Sequence, residues 1–366
     1  MALSRLGYFK ATDICELYTE AGSASAVVDN RQDIRQILPS ASDKLRTELT
    51  TIGDHIARAE QEYEWAQKHH VQIICYNDEA YPQRLRNCAD APIVIYYRGT
   101  ADLNATHMIS IVGTRRNTSY GADIIHHFIN DMTQLCPDAI IVSGLAYGTD
   151  ICAHREAMAN NMPTIGVLAH GLDTIYPSVH RTDAAKMVKN GGILTEYMSA
   201  TRPERLNFLQ RNRIIAGLSD AVVLVESAIH GGGLVTMRLG QEYGRETMTF
   251  PGAVGSPMSE GCNRLIRNNM ASLITSAHDF MEDIGWTPAK QIADAKRQGV
   301  ERQLFPDLTT DEKPIVDLLS ENNDQHVNTM SATLGISASA LSSRLFMLEM
   351  KGIVRILAGN MVHLIN

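Results

Sequence analysis

From residue 109 onward the sequence repeats a single unit: a short apolar, β-branched run, then a loop, then a segment with helical spacing. The runs are ISIVG (109–113), AIIVSG (139–144), TIGVLA (164–169), GILTEY (192–197), AVVLVES (221–227), TMTFPG (247–252) and SLITS (272–276). A continuous apolar run of this length suits a strand buried on both faces, since neither side then needs polar residues. Strands alternating with helices predict an α/β fold, a parallel sheet covered by helices on both sides. Right-handed crossovers place the loops that follow the strands along one sheet edge, where a functional site is expected.

The flanks have other patterns. Over residues 1–70, Ile34, Leu38, Leu45, Leu49 and Ile52, then Ile56, Ala59 and Tyr63, recur at three- and four-residue steps, which predicts helices. Two β-rich runs, VQIICY (71–76) and PIVIYYRG (92–99), lead into the sheet and are separated by a turn-like NDEAYPQRL. The polar stretch 286–306 reads as a linker. Residues 307–366 read as a separate unit: helices near 310–321, 326–334 and 337–351, then IVRIL (353–357) and MVHLI (361–365) turning at Ala358-Gly359-Asn360. Three helices and a hairpin are the parts of a winged helix. The expected plan is a helical domain over 1–70, the sheet domain over 71–285, the linker and the winged helix.

Composition narrows the function classes. The six cysteines are scattered without a C-x-x-C pair, so neither a disulfide framework nor a metal site is expected. The N-terminus MALSRLGYFKATDICEL lacks the order of a secretory signal, and no apolar run approaches the ~18 residues of a membrane span. A cytoplasmic protein without membrane contact is expected. The net charge of −8 argues against a general polyanion binder, so any nucleic-acid reading rests on where the arginines fall.

They fall in the loops. GTRRNTSYG (113–121) ends a strand at Gly113, sets Arg115 and Arg116 beside the start of a helix, and offers Ser119 as its cap. SGLAYGTDICAH (143–154) carries Ser143, Gly144 and Gly148 around a tight turn, with Asp150 and His154 one helical turn apart. The pair suits an acid at a helix start with a hydrogen-bond partner better than a catalytic couple. AHGLDTIYP (169–177) is another glycine turn, which Asp173 can brace. RPERLNFLQRNRIIAGLSD (202–220) is the densest signal: Arg202, Arg205, Arg211 and Arg213 accompany Phe208 and Asn212, with Glu204 the one acid among the arginines. Cations for phosphates and a ring for a base are what single-strand binding requires. HGGGLVT (230–236) offers Gly231, Gly232 and Gly233 for close backbone approach, and Arg264 and Arg267 lie three apart on a later helix. G-x-G-x-x-G is missing after the first strand, and G-x-x-x-x-G-K-[ST] is missing from the chain, so no NAD, ATP or other cofactor is expected.

In this order and spacing ISIVGTRRNTSYG, IVSGLAYGTDICAH, GLDTIYP, FLQRNRIIAGLSD, GGGLVT and NRLIRNN resemble the core of the DNA-processing protein A (DprA/Smf) family, over about residues 70–285. The resemblance implies a Rossmann-like sheet domain, an N-terminal helical (SAM-like) domain and a C-terminal winged helix. It implies a non-enzymatic homodimer, paired through the Rossmann-like domain. Such a protein binds and protects incoming single-stranded DNA and helps load RecA in natural transformation. The pocket arginine matches Arg115, the basic and aromatic pair matches Arg205 and Phe208, and Arg211, Asn212 and Arg213 match the family's RNR run. Thr114, His170 and Gly232 stand where serine or another small polar residue is commoner.

The third helix of the winged-helix unit, SASALSSRLFMLEMKG (337–352), has only Arg344 and Lys351 as cations, with Glu349 opposing them and Leu341, Leu345, Leu348 and Met347 as core. That charge deficit points to a protein-contact module rather than a duplex reader. A competing reading is a nucleotide-processing phosphoribohydrolase-like enzyme with GGGLVT as its phosphate loop. Glu226, Glu242 or Asp150 would then be its general acid or base.

Overall fold

The computed structural model describes residues 1–6, 11–289, 308–323, 325–351, 353–357 and 360–364. The expected linker at 286–306 therefore falls largely outside the described residues. The chain divides into two compact units, 1–290 and 291–366.

All seven expected strands form: β3 (Met108–Val112), β4 (Ile140–Gly144), β5 (Thr164–Val167), β6 (Gly191–Thr195), β7 (Ala221–Leu224), β8 (Glu246–Thr249) and β9 (Ser272–Leu273). They are parallel, in the order β6-β5-β4-β3-β7-β8-β9. The order reverses at β3, so the chain winds outward in both directions and leaves a crevice beyond the strand ends at that switch point. The two runs before the sheet, β1 (Gln72–Cys75) and β2 (Val94–Gly99), extend it antiparallel, with β2 on β6 and β1 outermost. A β-hairpin thus covers the edge that the parallel order would leave open. The stretch between them, expected to be only a turn, holds the short helix Gln83–Arg86.

Ile109, Ile111, Ile141, Val222 and Val223 are almost wholly buried, as helices cover both faces. Helices Ser119–Leu135, Thr149–Ala159 and Ala277–Ile284 pack on one face. The other is covered by Arg205–Leu218, Gly233–Glu242 and Glu260–Arg267. Of the residues spaced for helices, Leu45 and Leu49 are buried on the helix Asp43–Thr50, whereas Ile34 sits in a short 3-10 turn (Ile34–Gln36), Leu38 and Ile52 are buried outside any helix, and Tyr63 on the helix Gly53–Lys68 is exposed.

The second unit has helices Lys313–Glu321, Val327–Leu334 and Ala338–Met350, and strands β10 (Gln325–His326), β11 (Val354–Leu357) and β12 (Met361–Leu364) in the order β10-β12-β11. This is a winged helix whose short β10 the sequence pattern did not show. Leu341, Leu345 and Leu348 enter its core, but Met347, expected there, is 52% exposed beside Phe346 and Met350. Arg344 is paired with Asp311 at 3.1 Å and Lys351 with Glu312 at 2.8 Å. Both cations of the third helix are thus engaged within the unit.

Candidate nucleic-acid interface

The loops after β3, β4 and β5 and the start of the helix after β6 converge at the strand ends. After β3 the chain passes through Gly113, where an added Cβ would strike the Thr149 side chain. It then reaches the helix Ser119–Leu135, whose cap is Thr118 and not the expected Ser119: the Thr118 hydroxyl accepts the Gly121 N–H at 3.3 Å. Thr118 is itself fixed by Glu226, whose carboxylate accepts its N–H at 2.9 Å and its hydroxyl at 2.6 Å. Glu226, almost wholly buried after β7, therefore clasps the loop across the switch point.

Gly148 has a φ of 75°, and a side chain there would meet Thr114 O and the backbone of Arg115. The Thr149 N–H donates to Thr114 O at 3.0 Å. A bare Gly148 thus lets the β3 loop lie directly on the β4 loop, which sets where Arg115 projects. Gly233 admits Gly113 in the same way, with the Gly113 Cα 3.2 Å from an added Cβ. Gly231 backs onto the Ser227 hydroxyl, whereas Gly232 faces open space. The Ser143 hydroxyl, expected in the site, is buried and donates to Ile111 O at 2.6 Å, so its role is in the sheet.

Arg115 and Arg116 are exposed, and the Arg115 guanidinium sits over the Phe208 ring, 5.5 Å from its centroid. On Phe208 also rests Tyr176, with centroids 5.9 Å apart and rings inclined at 58°. Tyr176 is half exposed, and its N–H donates to the buried His170 Nε2 at 3.2 Å. Sequence reasoning missed Tyr176 because a tyrosine beside a proline in a glycine turn reads as turn chemistry; only the fold brings it to Phe208. Arg202 and Arg205 are exposed nearby in sequence, at and before the first turn of Arg205–Leu218, and their guanidinium groups have no ion-pair partner among the described residues. Asn212, half buried, likewise makes no side-chain hydrogen bond there.

The RNR run divides. Arg211 and Arg213 do not offer charge to solvent as the sequence pattern suggested. Arg211 is 5% exposed, donates to Val167 O at 2.7 Å, and lies with Asp150 against the bare Cα of Gly144. Burial pushes the Asp150 carboxyl up, against the opposing pull of Arg211. Arg213 is buried against the Glu196 carboxylate and Asp90 O. The expected Asp150–His154 hydrogen bond does not form: His154 bonds to Gly144 O and to Thr164 Oγ1, and burial lowers its pKa to about 4, leaving it neutral. Asp173 braces the loop as expected, accepting the Ala200 N–H at 2.9 Å.

The edge therefore presents exposed cations around a Tyr176–Phe208–Arg115 column. Rings and guanidiniums arranged in this way can stack bases and hold phosphates. The profile of the DNA recombination-mediator protein A family matches residues 72–285. The chain belongs to that family. The DprA winged helix domain matches residues 301–360. Protein Smf of Escherichia coli (strain K12) is 33% identical to this DprA-family chain over 309 residues, which is 82% of this chain and 79% of Smf. Among solved structures, DNA processing protein A from Streptococcus pneumoniae superposes with a TM-score of 0.65 at 29% identity, covering 77% of this chain and 95% of its own. DNA processing protein A from Helicobacter pylori, described for its single-stranded DNA binding mode, gives a TM-score of 0.53 at 28% identity, covering 58% of this chain and 95% of its own.

Proposed function

We propose that this DprA-family chain binds single-stranded DNA at the loop edge of its Rossmann-like sheet, protects it, and helps load RecA during natural transformation. The observation that carries the reading is the Arg115 guanidinium over the Phe208 ring, with Tyr176 against the same ring and exposed arginines nearby that have no ion-pair partner among the described residues. Gly113, Gly144, Gly148, Gly231 and Gly233 act by letting backbone or side chains pack closely behind that surface. Arg115, Arg116, Arg205, Phe208 and Asn212 are the groups that meet DNA, and Tyr176 joins them. Arg211 and Arg213 act from beneath, by holding the helix that carries Phe208. The Helicobacter pylori relative, described for its single-stranded DNA binding mode, supports single-stranded DNA as the ligand. Action in the cytoplasm, a homodimer through the sheet domain and the RecA partnership rest on the family resemblance.

The phosphoribohydrolase-like reading loses its acid–base candidates. The Glu226 carboxylate is occupied by Thr118, the half-buried Asp150 lies with the Arg211 guanidinium against Gly144, and Glu242 pairs with Arg238 at 3.5 Å on the helix surface. Among the described residues no helix is long and apolar enough to cross a membrane.

Band shifts with labelled oligonucleotides of equal length test the proposal. Because stacking requires unpaired bases, the single strand is expected to bind at least ~10-fold more tightly than the duplex, and to weaken steeply with salt. Equal affinity for the two forms would count against a stacking site. A chain ending at Thr287 is expected to keep single-strand affinity within ~3-fold, since the third winged helix has both its cations engaged and cannot neutralise several phosphates. A shortened chain that melts cooperatively yet binds ~10-fold more weakly would place part of the site in the second unit.

A further inference from the structure

The opposite edge of the sheet, where the strands begin, holds a cluster that single-strand binding does not use. His107 immediately precedes β3, and Cys136 and Asp138 lie in the short connection from helix Ser119–Leu135 to β4. Asp138 accepts from both neighbours: its Oδ2 lies 3.1 Å from His107 Nδ1, and its Oδ1 3.3 Å from Cys136 Sγ. One nitrogen, one sulfur and one carboxylate oxygen all fall within 4.8 Å of one another. Ligands bonded to one zinc-sized ion at ~2.0–2.3 Å stand roughly 3.3–3.8 Å apart in a tetrahedron, so a modest contraction of the cluster lets all three share one ion.

Main-chain pairing holds the three in place. The Ile140 N–H donates to His107 O at 2.9 Å and the Ala139 N–H to Cys136 O at 3.1 Å, and Met108 lies opposite Ile140 in the parallel ladder. Trp286 packs edge-on against the His107 ring, centroids 4.4 Å apart, and also rests on Phe280. Cys136 is buried, whereas the Asp138 side chain is 66% exposed, so the cluster is closed on the thiol side and open to water on the carboxylate side. The sequence shows no metal-ligand spacing here, because His107 stands far from the Cys136-x-Asp138 pair until the sheet brings β3 beside β4.

We propose that His107, Cys136 and Asp138 form a mononuclear site for a divalent metal of the zinc class, with water completing the coordination. One soft thiolate, one imidazole and one carboxylate select zinc or cobalt over magnesium or calcium, which take oxygen ligands. On binding, the Cys136 S–H gives its proton to solvent and its sulfur bonds to the metal. The His107 ring proton that Asp138 accepts at Nδ1 is lost to solvent as solvent protonates Nε2, which frees the Nδ1 lone pair for the metal, and one Asp138 oxygen supplies the third bond. The site ties the beginnings of the two central strands together and touches Trp286, one of two tryptophans in the chain.

Titrating the metal-free, reduced full chain with Co2+ tests this. One equivalent is expected to produce a thiolate-to-cobalt charge-transfer band and to quench Trp286 fluorescence, and Zn2+ is expected to abolish both changes. Cys136→Ser should remove the band, and Asp138→Asn, at an exposed position that the fold does not depend on, should weaken Co2+ binding at least ~10-fold while melting is unchanged. Cys152→Ser serves as the thiol control and should behave as the parent. No band at stoichiometric Co2+, a band that survives Cys136→Ser, or a folded Asp138→Asn variant with parental affinity would overturn the site.

Discussion

Replacing Arg213 with alanine is expected to lower the unfolding free energy of the first unit by about 3–5 kcal/mol. Arg213 is 7% exposed, with its guanidinium against the Glu196 carboxylate and Asp90 O. Truncation leaves Glu196 as a part-buried charge without its arginine, and that penalty dominates the loss. The paired change Arg213→Met with Glu196→Gln removes both charges and should recover more than half of it. Urea unfolding followed by tryptophan fluorescence reads the effect, since Trp65 and Trp286 both lie in this unit. The variant should still bind single strands wherever it is folded. An Arg213→Ala protein that unfolds like the parent but loses DNA affinity would instead make Arg213 a DNA contact.

The contrast between Arg213 and Arg205 shows what the sequence carried and what it did not. Charge density along 202–213 picked out the segment that carries Phe208 but could not separate a cation that meets solvent from one that holds the helix. The separation comes from depth: at ~1.5 Å per residue the two positions are about 12 Å apart along the helix axis. Arg205 opens the helix at the exposed sheet edge, whereas from Arg213 to Leu218 every residue is buried. The signal was present in IIAGL (214–218), an apolar run too continuous for a helix with one solvent face. The parallel strands were legible for a related reason. Burial on both faces writes an unbroken apolar run into the sequence, and ISIVG and AVVLVES have few competing readings. The placement of β1 and β2 was not, because an antiparallel addition to the sheet edge depends on which strand is left outermost. Tyr176 and the His107–Cys136–Asp138 cluster are products of topology in the same sense, assembled from segments whose local patterns say nothing of one another.

At the loop edge, Arg115→Ala together with Phe208→Ala is expected to weaken single-strand binding about 100-fold. Loss of base stacking accounts for roughly 1–3 kcal/mol and loss of a phosphate cation for a further ~1 kcal/mol, with ~1.4 kcal/mol per tenfold. Because the guanidinium lies 5.5 Å from the ring centroid, the two changes share part of their effect, and the double variant should lose less than the product of the singles. Neither change should unfold the protein: Arg115 is exposed, and Phe208 is only half buried at the start of its helix. The singles separate the two roles. Arg115→Ala should lower the slope of log affinity against log salt by about one, since one fewer counterion is released. Phe208→Ala should leave that slope unchanged and erode the preference for single strands over duplex, which stacking creates. Tyr176→Ala should act as Phe208→Ala does, more weakly, because its ring is the outer member of the column. A folded double variant that binds single strands within ~3-fold of the parent would move the interface away from this column, and the arginines around it would then be a solvated surface.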